Sequence, residues 1–177
     1  MVFTILSRKA RRQSMTIRDA TENDLPAIVA IYNASIPSRT ATADTEPISI
    51  ESRRSWFRDH APEKCPLWVA VDEAVVGWLS FQSFYGRPAY HATAEISLYV
   101  TPAFHRKGIG RELMTKAIER APQLGLKTLL GFIFGHNEAS LHLFESFGFQ
   151  RWGALPRVAE LDGIERDLII LGRRIVN

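Results

Sequence analysis

The segment from Ala94 to Ala121 narrows the possible folds more than any other stretch. Ala94-Glu95-Ile96-Ser97-Leu98-Tyr99-Val100 reads as a strand, and a turn with Pro102 follows. Next come His105-Arg106-Lys107-Gly108-Ile109-Gly110 and a helix pattern from Gly108 to about Ala121, with Ile109, Leu113, Ala117 and Ile118 on one face. Glycines let the backbone approach a ligand closely and tolerate positive φ. The first amides of a helix lack intrahelical partners and sit at the positive end of its dipole. That geometry suits a pyrophosphate, and Arg106, Lys107 and Arg111 add positive charge. Two familiar phosphate loops are excluded. There is no G-x-x-x-x-G-K-[ST], and the third glycine of G-x-G-x-x-G would fall at Leu113. Taken alone, the loop also reads as an ordinary tight strand-to-helix turn.

Strand and helix patterns alternate around this junction. After the strand that opens at Met15, helices are expected over about Asp24 to Ile36, capped by Asn23 or Asp24, and over about Ser49 to His60. Pro37 to Pro47 reads as a loop. Leu67 to Val71 and Val75 to Phe81 form an antiparallel hairpin across Asp72-Glu73-Ala74. Leu126 to Phe134 is too apolar for an edge strand and belongs in the middle of a sheet. Asn137 to Phe147 is a short helix stopped by Gly148, and Phe149 to Leu155 pairs with Ile164 to Leu171.

Composition limits the classes that fit. A chain of 177 residues, 46% hydrophobic and 23% charged, suits one soluble globular domain, expected over residues 15–177. No apolar run reaches the roughly 20 residues a bilayer requires, so no membrane partner is expected. The single cysteine, Cys65, permits no internal disulfide and points to a reducing, cytoplasmic setting. No histidine shows metal-ligand spacing, so no metal is expected. The pI near 9.2 comes from Arg8, Lys9, Arg11 and Arg12, in a stretch of fourteen residues that holds no acid. Without them 18 of the 22 basic side chains face 19 acidic ones, so the body carries −1 and gives no reason to expect a nucleic-acid partner. Residues 1–14 are expected to be a disordered basic extension, or else an arm that touches an acidic partner.

The second informative stretch is Asn137-Glu138-Ala139-Ser140, then Leu143-Phe144, then Phe147-Gly148-Phe149. With His105 to Gly110 and the strand between, it resembles the paired motifs of the N-acetyltransferase superfamily known as GNAT. Ile17 to Asp24, Thr45-Glu46-Pro47, Arg87-Pro88-Ala89-Tyr90 and Ala94-Glu95 narrow the likeness to the phosphinothricin and methionine sulfone/sulfoximine acetyltransferase branch. The resemblance covers Met15 to about Leu171.

That resemblance implies an α/β (α+β) fold. About seven strands would form a central, mixed, mostly antiparallel twisted sheet, flanked by about four helices. A V-shaped split would open between the strands ending near Val100 and Phe134. It implies an acetyl-CoA-dependent enzyme, a homodimer, acting on the α-amine of a small amino acid or analogue. Leu98, Tyr99 and Val100 would hold the pantetheine arm and thioester through backbone groups. His105, Arg106, Lys107, Gly108, Ile109, Gly110 and Arg111 would hold the pyrophosphate, with Asn137 and Ser140 near the pantetheine. The Arg39 to Ala43 loop would face the acceptor, with Ala43 where the branch commonly has an aromatic.

The chemistry needs a neutral amine, and an alkyl amine with a pKa near 10 is almost wholly protonated at neutral pH. Glu95 is the candidate general base. It shares one strand face with Ser97 and Tyr99, opposite Ile96 and Leu98. A structural hydrogen bond in the sheet is its other reading. Arg87 and Tyr90 are candidates for the acceptor's carboxylate, or else surface loop residues. Many superfamily members place Tyr where this chain has Phe144, which leaves the general acid unassigned, with solvent or Tyr99 to serve. Other amines, or a non-catalytic acyl-CoA-binding role, stay open on sequence alone.

Overall fold

The computed structural model describes residues 15–175; the basic extension expected over residues 1–14 lies outside the described residues. Seven strands form one sheet: β1 (Thr16–Asp19), β2 (Leu67–Asp72), β3 (Ala74–Ser83), β4 (Thr93–Val100), β5 (Thr128–Phe134), β6 (Gln150–Leu161) and β7 (Ile164–Arg174), in the order β1-β2-β3-β4-β5-β7-β6. Four α-helices flank it: α1 (Leu25–Ser35), α2 (Ile50–Arg58), α3 (Ile109–Arg120) and α4 (Glu138–Ser146). All neighbours pair antiparallel except β4 and β5.

The β4–β5 pairing positions the site. It runs only through Thr93↔Thr128, Ala94↔Leu129 and Glu95↔Leu130. Beyond Glu95 the strands diverge, while β4 stays paired to β3 as far as Gly77↔Val100. The split expected between Val100 and Phe134 is therefore present.

The alternation along β2 shows how the layers form. Leu67 and Val69 join Ile28, Ile31 and Trp78 in one core cluster, with Tyr32, Trp56, Phe57 and Tyr99 against it. Trp68 and Ala70 join Leu79, Phe81, Ile96, Leu113, Met114 and Leu129 in the other. A strand buried on both faces lacks polar alternation, and that is the apolar run seen in the sequence. Helices α1 and α2 cover one face, and α3 and α4 the other. Glu95, Ser97 and Tyr99 fall on the α1/α2 side, as their spacing from Ile96 predicts.

Some boundaries differ from expectation. Asp24, one of the two expected caps, stands at the N-cap position of α1, but its side chain closes the single 3-10 turn before it, Glu22–Asp24, where the Thr21 N–H and hydroxyl donate to Asp24 Oδ2 at 2.7 and 2.9 Å. Strand β6 continues past Leu155 to Leu161 despite Pro156. It is an outer strand whose pairing with β7 slips between Leu155 and Ala159, so the missing proline N–H breaks no central ladder.

Candidate active site

The phosphate loop is built by local chain geometry. Gly108 stands at φ 89° as the N-cap of α3, a conformation that favours glycine. Gly110 packs tightly between helices, where a Cβ would meet Leu143 Cδ2 at 3.2 Å. Among the described residues no side chain caps α3, so its first N–H groups remain available to an anion. His105 turns back, its Nε2 lying 2.9 Å from the Val100 carbonyl oxygen, and so braces the turn.

A cleft of about 620 Å³ runs from this loop along the diverging end of β4 to α4. Of the residues expected to bind coenzyme A, Leu98, Tyr99, Val100, His105, Arg106, Gly108, Ile109, Gly110, Arg111, Asn137 and Ser140 all line it. Lys107 does not; its Nζ sits 4.1 Å from the centre of the Phe104 ring. Arg111 is partly committed elsewhere, donating to Ser146 Oγ at 3.1 Å and lying over Phe147. Asn137 caps α4 by accepting from Ser140 N, and donates from Nδ2 to the Thr40 carbonyl at 3.0 Å. Among the described residues the second N–H of its amide has no acceptor.

A second, smaller cavity of about 180 Å³ lies between the sheet and α1/α2. Its walls include Tyr32, Arg53, Trp56, Trp78, Ser97 and Tyr99. Tyr99 lines both cavities, so the two meet at the strand expected to hold the thioester.

The segment Arg39–Ala41 closes the junction. Three successive carbonyls are held by side chains of β4 and of the turn between β5 and α4: Arg39 O by His136 Nε2 at 2.7 Å, Thr40 O by Asn137, and Ala41 O by the Tyr99 hydroxyl at 3.0 Å. Arg39 adds a bond from Nε to Asp162 Oδ2 at 2.9 Å. Ala41 thus faces the cofactor cleft, while Ala43 is exposed.

Glu95 sits beside the small cavity. Its cross-strand partner Gln82 and its same-face neighbour Ser97 both line the cavity, though Glu95 itself is not among the lining residues. Burial pushes its carboxyl above the usual range. Tyr99 is also pushed upward by burial, and its hydroxyl is already donated to Ala41. Arg87 and Tyr90 are exposed and line neither cavity; Tyr90 packs edge-on against Phe84. Phe144 is only 4% exposed and packs against Phe149, a core position rather than a cleft position.

Sequence reasoning missed Arg53, Thr42 and Asp44. All three gather at Tyr32 of α1. Its hydroxyl meets Thr42 Oγ1 and donates to Asp44 Oδ2 at 2.5 Å, and Arg53 reaches the same carboxylate oxygen at 3.6 Å. Among the described residues no group of three His, Cys, Asp or Glu could hold a metal ion, and no helix is long and apolar enough to cross a membrane.

A glycine-bearing helix start, a split sheet and two cavities joined at one strand define an acyl-CoA-dependent transferase of the GNAT type. The Acetyltransferase (GNAT) family model matches residues 28–149, and the chain belongs to that family. YwnH of Bacillus subtilis (strain 168), whose name carries phosphinothricin acetyltransferase activity as a provisional assignment, is 53% identical over 91% of this chain and 99% of its own. The L-methionine sulfoximine/L-methionine sulfone acetyltransferase of Pseudomonas aeruginosa (strain PAO1) is 35% identical over 89% and 93%. The structure of a GNAT superfamily phosphinothricin acetyltransferase from Sinorhizobium meliloti, in complex with acetyl-CoA, superposes with a TM-score of 0.85 at 30% identity, covering 90% of this chain and 88% of that one. The chain is an N-acetyltransferase, and acetyl-CoA is its acetyl donor.

Proposed function

We propose that the acceptor is the α-amine of a small amino acid or analogue of the phosphinothricin or methionine sulfone/sulfoximine type. The observation that carries this reading is the small cavity joined to the cofactor cleft at Tyr99. The acceptors in the relatives' names agree with it.

Glu95 takes a proton from the ammonium group, directly or through one water, and leaves a neutral amine. Its desolvated carboxylate is a stronger base than an exposed one. The amine lone pair attacks the thioester carbon and a C–N bond forms. The oxyanion meets a backbone N–H of the Leu98–Val100 strand. Collapse breaks the C–S bond and expels the thiolate, whose pKa near 8.5 lets solvent protonate it. With the Tyr99 hydroxyl held by Ala41 and Phe144 buried, no protein acid is required.

The cofactor contacts proposed are those of residues 98–100, His105, Arg106, Gly108 to Arg111, Asn137 and Ser140, with Lys107 adding only field. A single N-acetyltransferase domain over residues 15–177, a cytoplasmic location and a homodimer complete the reading. The apolar side chains of Trp152, Leu155 and Val158, exposed along outer strand β6, support self-association. Arg87 and Tyr90 keep an acceptor role only if this loop of one copy reaches the cavity of the other. Light scattering on the eluted protein tests the dimer: a monomer mass removes that role. A thiol-release assay with methionine sulfone, methionine sulfoximine and phosphinothricin tests the acceptor, and no turnover on any of them ends this assignment.

A further inference from the structure

We infer that Arg53 is the carboxylate-binding residue of the acceptor cavity and sets the preference for amino acids over plain amines; this rests on the acceptor reading above. Three observations carry it. First, the guanidinium lines the cavity. It is held by aromatic faces, 4.9 Å from the Tyr32 ring centre and 5.5 Å from that of Trp56. That arrangement fixes the plane of the group without consuming its N–H donors. Second, among the described residues Arg53 donates no hydrogen bond. Its only ion pair is the long one to Asp44 Oδ2 at 3.6 Å, and that oxygen already accepts from Tyr32. Neighbouring Arg54 differs, being paired with Glu51 and Glu22 at 2.7 Å each. Third, Ser80 on the same cavity wall is 1% exposed, and among the described residues its hydroxyl has no hydrogen-bond partner, which points to a polar ligand.

An α-amino acid carries its carboxylate one carbon from the amine. A planar fork with free donors grips such a group through two parallel bonds. Glu95 and Arg53 then act on the two ends of one small molecule. The amine goes toward the strand that meets the thioester, and the carboxylate goes toward α2. A plain amine leaves the fork unmatched.

The test compares full-length wild type with Arg53→Met and Arg53→Lys. Amino-acid binding is followed by the fluorescence of Trp56 and Trp78 in the cavity wall, using methionine sulfone and its decarboxylated amine. Turnover of both is measured by thiol release. Arg53→Met is expected to weaken binding and raise KM for the amino acid by about 10- to 100-fold, the range for a charged hydrogen-bonded contact. The KM for acetyl-CoA and kcat/KM for the decarboxylated amine should stay within about twofold, and Arg53→Lys should recover part of the loss. An unchanged amino-acid-to-amine ratio in Arg53→Met overturns the assignment. So does an equal loss on both acceptors, or no saturable amino-acid binding to wild type. Loss only of discrimination between oxidised and unoxidised side chains places Arg53 at the other end of the acceptor and overturns it too. Amino-acid binding that depends on Arg53 but is never followed by acetylation supports Arg53 and instead ends the acceptor reading.

Discussion

The ring of Phe144 lies against Gly131, so close that a Cβ on Gly131 would stand 2.5 Å from Phe144 Cε1. The two residues are a lock between α4 and the central strand β5. Gly131→Ala is expected to force the buried ring aside and to cost about 1–3 kcal/mol of stability, the usual range for overpacking. Chemical denaturation measures it. A stability unchanged within error would show that the ring is free to move. Phe144→Tyr is expected to leave kcat no higher, because position 144 faces the core.

Glu95→Gln removes the proposed base but keeps the shape. Activity on amino-acid acceptors is expected to fall by about 10²- to 10⁴-fold. Burial raises the Glu95 carboxyl, so the base is lost as pH falls through a value above the ordinary carboxylate range. The kcat/KM profile should show an acid limb that disappears in the variant. Full activity in Glu95→Gln would return Glu95 to a structural role in the sheet.

The Arg18–Asp24 pair contributes to acid stability. Bidentate hydrogen bonds from Arg18 at 2.7 and 2.8 Å lower the Asp24 carboxyl from 3.8 to about 2. A lowered folded-state pKa adds stability that is fully present above the unfolded value and is lost as pH falls from about 4 toward 2. Arg18 is 46% exposed, so screening reduces the effect, and Arg18→Met is expected to cost about 1 kcal/mol at neutral pH. The difference from wild type should vanish near pH 2 in acid-unfolding curves.

Gly108→Ala tests the phosphate loop. At φ 89° an L-residue pays about 1–2 kcal/mol, and relaxing that strain re-aims the first N–H groups of α3. The KM for acetyl-CoA should rise several-fold, and the KM for the acceptor should stay put. Equal increases in both would place the loop's influence beyond the donor cleft.

The sequence was legible where consecutive residues build the feature. Residues 105–110 form one loop, and Asn137 heads the helix it caps, so both motifs stood in plain order. The face shared by Glu95, Ser97 and Tyr99 followed from strand period alone. The acceptor cavity was not legible, because α1, the 40s loop, α2 and the two strands β3 and β4 each contribute only one to three residues. Arg53 and Arg54 are adjacent and chemically identical, and only packing puts one over Tyr32 and Trp56 and the other on exposed carboxylates. The length of β6 was missed because Pro156 reads as a stop unless the strand is known to be outermost.

The early parting of β4 from β5 leaves residues 96–100 with a neighbouring strand on one side only, in the middle of a sheet. In the proposed mode of donor binding, the amide-bearing arm of acetyl-CoA fills this gap. An unfinished sheet ties persistence to supply. At a donor concentration about 100 times Kd, binding adds roughly 2.7 kcal/mol to the folded state. Enzyme starved of acetyl-CoA would melt sooner and yield faster to proteases, so the molecule's lifetime becomes a reading of how much acetyl donor surrounds it.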